Sequence, residues 1–223
     1  MPGAETIVLV HGLWMHGVAM RLVRRRLEAC AFDVRAYSYS TVRCDLTDNA
    51  QRLARYVEAL GCGRVHLIGH SMGGLVAYSA ARLLPAALRG RVVLCGSPFA
   101  DSYSGRRLEY FAPGRWLLGR CMGEWLHRAR TLDVADDALE VGVIAGDGGY
   151  GLGRVIAPAL PRPNDGVIAV SETRVPGMRD HIVLHVSHTA MLLSPVVAQQ
   201  ARAFVAHGRF DRTPGAPPPA ASS

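Results

Sequence analysis

The stretch RVHLIGHSMGGLVAYSAARLL, Arg64 to Leu84, decides the fold. Val65 to Ile68 is a short, mostly apolar run rich in β-branched residues, the pattern of a central strand covered on both faces. Met72, Leu75, Val76, Ser79, Ala80 and Leu83 then recur at helical spacing, so a helix begins at or just after Met72. Between them lies Gly69-His70-Ser71-Met72-Gly73, a G-x-S-x-G that sets a serine on a sharp strand-to-helix turn. Gly69 and Gly73 fall where a side chain would crowd the neighbouring strand and helix. A helix starting just behind the serine also points free N–H groups and its positive dipole end at the place where an oxyanion would form. The competing reading is a serine that caps the helix through its hydroxyl and does no chemistry.

The 223 residues, 49% hydrophobic and 19% charged, suit one globular α/β domain. No apolar run approaches the length of a membrane span, and MPGAETIVLVHG lacks the basic segment and cleavage site of a signal peptide, so a cytoplasmic protein is expected. Cys30, Cys44, Cys62, Cys95 and Cys121 are odd in number and show no C-x-x-C or ligand spacing. They read as free thiols, with no zinc, other metal or cofactor implied. The net charge of +7 is spread along the chain, with one dense run at Arg21, Arg24, Arg25 and Arg26. On a helix Arg21, Arg24, Arg25 and Glu28 lie opposite Val18, Leu22, Val23, Leu27 and Cys30, a solvated face. No aromatic platform interleaves with the charge, which argues against nucleic acid, while weak contact with anionic lipid surfaces stays open.

Strands and helices alternate along the chain. Strands are expected at Thr6–Val10, Phe32–Tyr39, Val65–Ile68, Arg91–Cys95, Leu139–Ala145 and His181–Val186. Helices are expected at Val18–Cys30, Thr47–Leu60, from Met72, and from Ser194-Pro195 to Gly208. The alternation implies a mainly parallel sheet with helices on both faces, and ligands bind beyond the carboxyl ends of such strands. The expected domain covers residues 1–213, with a disordered Pro/Ala/Ser-rich tail at 214–223.

Residues 99–130 break the rhythm and hold six of the fifteen aromatic residues. They read as a cap or lid inserted over the sheet's carboxyl edge, with Phe99 and Trp116 lining a substrate pocket and Trp14 reaching the same rim. The plain alternative is ordinary core packing.

A serine hydroxyl needs a histidine to take its proton and a carboxylate to orient that histidine. The strand-end loops supply Ser71, then Asp165 in Asn164-Asp165-Gly166, then His188 after the last strand. His66, His70, His181 and His185 read as structural.

The motifs HGLW at His11 to Trp14, GHSMGG at Gly69 to Gly74, NDGVI at Asn164 to Ile168 and VSHTAML at Val186 to Leu192 resemble the α/β-hydrolase superfamily, and within it the lipase-type esterases. That resemblance implies an oxyanion hole from the backbone amides of Leu13 and Met72. It also implies Asp165 as the acid, 23 residues before His188, with Asp147 in VIAGD as runner-up. The expected substrate is a small-molecule ester or lipid-like molecule, with thioesterase, amidase and catalytically silent binding proteins as alternatives on the same fold. HTAMLLSP lacks the carboxylate that would hold the calcium found in secreted members, so no calcium is expected.

Overall fold

A computed structural model of the chain describes residues 5–29, 32–110, 112–128, 139–149 and 157–212. The 214–223 tail and the last two residues of the expected insertion lie outside the described residues. Six strands form one sheet: β1 (Thr6–Val10), β2 (Asp33–Tyr37), β3 (Val65–His70), β4 (Arg89–Cys95), β5 (Val141–Gly146) and β6 (Asp180–Leu184). Their order is β2-β1-β3-β4-β5-β6, and every pair is parallel. β1, β3 and β5 are buried along their whole length, Thr6, His66 and His70 included, as strands covered on both faces are.

One face is covered by α2 (Leu46–Ala59) and α3 (Met72–Leu83), which pack Leu53, Val57, Leu75 and Val76 against Val8, Val10 and Leu67. The other face is covered by α1 (Arg21–Glu28) and the C-terminal helix, where Leu27, Val197, Ala201 and Phe204 meet Ile7, Leu9, Val93 and Ile144. The apolar stripes expected from sequence are therefore the packed ones with two exceptions, of which Leu83, the last residue of α3, is 52% exposed. Val18, the other, is 77% exposed. It lies in a 3-10 turn, Gly17–Met20, that precedes α1. The three-residue period of that turn takes Val18 off the stripe that Val23 and Leu27 follow. Arg21, Arg24, Arg25 and Glu28 are exposed as expected, with an Arg24–Glu28 ion pair at 2.7 Å.

Between β4 and β5 the chain forms α4 (Tyr103–Glu109) and α5 (Ala112–Arg128). α5 breaks at Gly119, whose φ of 65° lets it sit against Val42. A Cβ at Gly119 would come within 2.6 Å of Val42 Cα. The C-terminal helix, α6 (Pro195–His207), is capped by Ser194 Oγ at one end and stopped by Gly208 in the left-handed region at the other. Among the described residues no helix is long and apolar enough to cross a membrane. Cys44, Cys62, Cys95 and Cys121 are free thiols, and burial pushes Cys95 and Cys121 up to about 12.

Candidate active site

The carboxyl ends of β1, β3, β4 and β5 define the site. Ser71 sits on the turn between β3 and α3 with φ 55° and ψ −128°, a conformation that a non-glycine residue rarely adopts. Its hydroxyl makes no capping bond to α3, so the helix-cap reading does not describe it. Its amide donates to the Cys95 carbonyl at 2.8 Å, which ties the turn to the end of β4. The flanking glycines are sterically required. A Cβ on Gly73 would overlap the Val10 and His11 carbonyl oxygens, and one on Gly69 would overlap the Gly73–Gly74 backbone.

His188 lies in the loop after β6, and its Nδ1 donates to Asp165 Oδ2 at 2.7 Å. The Asp165 side chain is 1% exposed and that of His188 12%. Asp165 Oδ1 accepts from the amides of Val167 and Ile168 at 2.9 and 2.7 Å, and its carbonyl accepts from the His188 amide at 2.9 Å. Three donors thus satisfy the buried carboxylate, and its bond to Nδ1 orients the imidazole with Nε2 as the free nitrogen. Gly96, one residue past β4, leaves room for the pair. A Cβ there would stand 3.1 Å from Asp165 Oδ2 and 3.2 Å from His188 Nδ1.

Asp147, the runner-up acid, is elsewhere. It follows β5 and accepts from His185 Nδ1 at 2.9 Å on an exposed rim. Both residues line a cavity of about 520 Å³ together with Arg162 and Asn164.

The His11–Trp14 loop rests on the serine turn, and a Cβ on Gly12 would lie 3.2 Å from Ser71 Cβ. His11 is buried and held below its ordinary titration range by that burial. Its Nδ1 donates to the Gly12 carbonyl at 2.9 Å and its Nε2 accepts from the Tyr39 amide at 3.3 Å. These bonds lock the loop that carries the Leu13 amide. Met72 is the first residue of α3, so its N–H has no intrahelical acceptor.

The three aromatic residues expected at a pocket separate. Trp14 (48% exposed) and Trp116 (69% exposed) meet with ring centroids 5.3 Å apart, and Trp14 Nε1 donates to the Leu117 carbonyl at 2.6 Å. Phe99 instead packs in the core, 4.8 Å from the Tyr78 ring and 5.4 Å from Trp125.

Sequence reasoning passed over three residues. His70, read as structural, donates from Nε2 to the His188 carbonyl at 2.9 Å, and the two rings lie 4.8 Å apart. Glu172 is buried and pushed up by that burial, and it accepts from the Ala169 amide at 2.7 Å and from the Tyr103 amide. Ser104 Oγ donates to the Val167 carbonyl at 2.6 Å. The last two tie α4 to the Asp165 turn, and no short-range motif announces a contact made across more than sixty residues. Among the described residues no group of three or more His, Cys, Asp or Glu side chains could hold a metal ion.

A family model described as "Alpha/beta hydrolase family" matches residues 7–218. An uncharacterised hydrolase of Bacillus subtilis is 32% identical over 106 residues, 44% of this chain and 39% of that protein, so the match spans well under half of the relative's length. The mature form of a lipase from Bacillus licheniformis superposes with a TM-score of 0.73 at 21% identity, covering 93% of each chain. A metagenomic carboxyl esterase superposes with a TM-score of 0.63 at 17% identity, covering 84% of this chain and 65% of its own.

Proposed function

Because this chain belongs to the alpha/beta hydrolase family, we propose that it is a serine hydrolase that cleaves carboxylic esters through an acyl-enzyme, with Ser71, His188 and Asp165 as its triad. The observation that carries the reading is the buried Asp165–His188 hydrogen bond beside a serine held in a strained, uncapped turn. In the first half-reaction His188 Nε2 takes the Ser71 proton as Oγ adds to the ester carbonyl. The negative charge that collects on the carbonyl oxygen falls to the Leu13 and Met72 amides. Collapse of the tetrahedral intermediate breaks the ester C–O bond, and His188 returns the proton to the leaving alcohol. Water then attacks the acyl-Ser71 ester with His188 as base, releasing the acid and restoring the serine. Asp165 keeps its charge throughout and balances the imidazolium.

The lipase and esterase character of the superposed structures favours esters over amides. Trp14 and Trp116 form the apolar rim of the substrate pocket in this reading, and α4 and α5 form a cap within one catalytic domain. A fluorophosphonate probe tests the activated serine without a known substrate. Adduct on Ser71, absent from Ser71→Ala and from heat-denatured protein, supports the proposal, and a panel of esters, thioesters and amides then ranks the chemistry. Folded protein that neither labels nor turns over any of the panel is a silent hydrolase fold.

A further inference from the structure

The edge of the sheet opposite Ser71 carries a second concentration of chemistry. Because β3, β4, β5 and β6 are parallel and adjacent, the residues that precede them converge. Arg64 precedes β3, Arg89 and Arg91 begin β4, Glu140 precedes β5 and Arg179 precedes β6. Together with His66 they line a cavity of about 460 Å³. Leu67 to His70 of β3 lie between its floor at His66 and Ser71, roughly 17 Å at strand rise.

The cavity is built and charged. Glu140 accepts from Arg91 Nε at 2.5 Å and from Arg179 Nη1 at 2.5 Å, so one carboxylate fixes two guanidiniums. Main-chain carbonyls hold the same pair from behind, Val205 on Arg91 Nη1 at 2.6 Å and Gly208 on Arg179 Nε at 3.0 Å. A guanidinium has five N–H donors and these bonds use two on each, which leaves donors on both for a ligand. Gly208 has no side chain to part them, since a Cβ there would stand 3.0 Å from Arg179 Nε and 3.2 Å from Arg91 Nε. Arg64, Arg91 and Arg179 share the lining with Glu140, the one carboxylate there among the described residues.

His66 provides an independent sign of a missing ligand. It is 1% exposed, and its Nδ1 accepts from the Arg91 amide at 2.9 Å, so Nε2 carries the proton. That N–H has no hydrogen-bond partner, and Glu5 Oε2 stands 3.6 Å away. A buried donor with no acceptor at hydrogen-bond distance is destabilising, and an anion in the cavity would supply that acceptor. The β3–β4 register shifts between Val65 and Leu67, opposite Gly90, where a Cβ would clash with the Val65 carbonyl at 2.5 Å. The bulge therefore brings the Gly90 backbone close against the Val65–His66 peptide, beside the cavity wall.

We propose that this cavity binds a phosphate group carrying two negative charges, held by the Arg64, Arg91 and Arg179 guanidiniums with His66 Nε2–H donating from its floor. Arg64, Arg91 and Arg179 against the one lining carboxylate among the described residues leave two positive charges for the ligand, and arginine forks match phosphate oxygens. The volume leaves room for a larger group esterified to the phosphate, which a soluble phosphate ester or a lipid headgroup supplies equally.

The test follows the His66 imidazole by ¹⁵N NMR in the full chain while sodium phosphate is titrated against sodium chloride at matched ionic strength. Wild type shows a saturable His66 shift with phosphate alone, and Arg64→Glu weakens it at least tenfold with an unchanged circular dichroism spectrum. Arg179→Ala replaces that variant if it does not fold. Sedimentation with phosphatidic acid vesicles against phosphatidylcholine vesicles separates the sources: Arg64-dependent sedimentation with the former and no response to free phosphate assigns a lipid headgroup. A His66 shift of equal size in Arg64→Glu, or no response to phosphate or to either vesicle, overturns the proposal.

Discussion

The Nε2–H of His70 donates to the carbonyl of His188 at 2.9 Å, so the residue just before Ser71 holds the backbone of the residue that pairs with Asp165. A carbonyl only accepts, which fixes His70 as the Nε2–H tautomer. Burial first, and the neighbouring His188 second, push His70 down to about 3, so it stays neutral and keeps this bond at any ordinary pH. His70 is thus a positioning residue in the proposed mechanism. His70→Leu, which removes the donor, is expected to lower kcat about 10- to 100-fold with KM little changed, and His70→Gln, which retains a donor, to recover most of the loss. Ester hydrolysis kinetics check this, and a Leu variant with wild-type kcat refutes it.

The same buried imidazole sets a pH dependence of stability. In the unfolded chain His70 titrates near 6.5, and in the fold near 3. Between those values the unfolded state binds the extra proton, so stability is full above pH 6.5 and falls as pH drops toward 3. The slope from this residue is about 1.4 kcal/mol per pH unit. His11, His66 and His181, also lowered mainly by burial, add in the same direction. Denaturant midpoints measured from pH 7 to 4.5 are expected to fall less steeply in His70→Gln than in wild type.

Asp165 and Asp147 make opposite predictions. Asp165 is buried on the His188 ring, while Asp147 pairs with His185 on the rim. Asp165→Asn presents an amide where a carboxylate set the imidazole tautomer, and kcat is expected to fall roughly 10³- to 10⁴-fold. Asp147→Asn is expected to leave kcat close to wild type. A larger loss in the second variant assigns the acid role to Asp147.

Gly73 is where the serine turn is least tolerant. A Cβ there overlaps two carbonyl oxygens, that of Val10 at the end of β1 and that of His11 just after it; the first is fixed by the central sheet and the second by the Tyr39 hydroxyl. Gly73→Ala is expected to cost more than about 3 kcal/mol or to abolish folding. Gly63→Ala meets nothing within 4 Å and is expected to be neutral in the same thermal melt.

These particulars show what sequence could and could not carry. The strand-to-helix turn at Ser71 was legible because strand, glycine spacing and helix period are all local; parallel alternation placed His188 on the same edge but left Asp147 as well placed as Asp165, and it was the resemblance that favoured Asp165. The His70–His188 bond was not, since it joins residues 118 apart through a main-chain atom that has no sequence signature. Phe99 shows a different limit: aromatic clustering reads the same for a pocket wall and for a core, and only the positions of Tyr78 and Trp125 decide. The arginines at the opposite edge looked like scattered surface charge because their convergence needs the strand order β3-β4-β5-β6, which local pattern does not reveal.

Trp116 offers the last discrimination, between a rim that selects substrate and one that only packs. It is 69% exposed and its ring lies 5.3 Å from Trp14, which in turn is bonded to α5 through Leu117. Removing an exposed ring leaves the core intact, so Trp116→Ala is expected to change stability by less than about 0.5 kcal/mol. An acyl chain lying along the ring would lose apolar contact worth about 1–2 kcal/mol, or roughly 5- to 30-fold in kcat/KM for long-chain esters. An acetyl ester is too short to reach the rim and is expected to be turned over at an unchanged rate. A chain-length series on both proteins measures this directly: parallel curves mean that the tryptophan pair serves only to hold α5 against the His11–Trp14 loop, and curves that diverge with length place the acyl chain on Trp116.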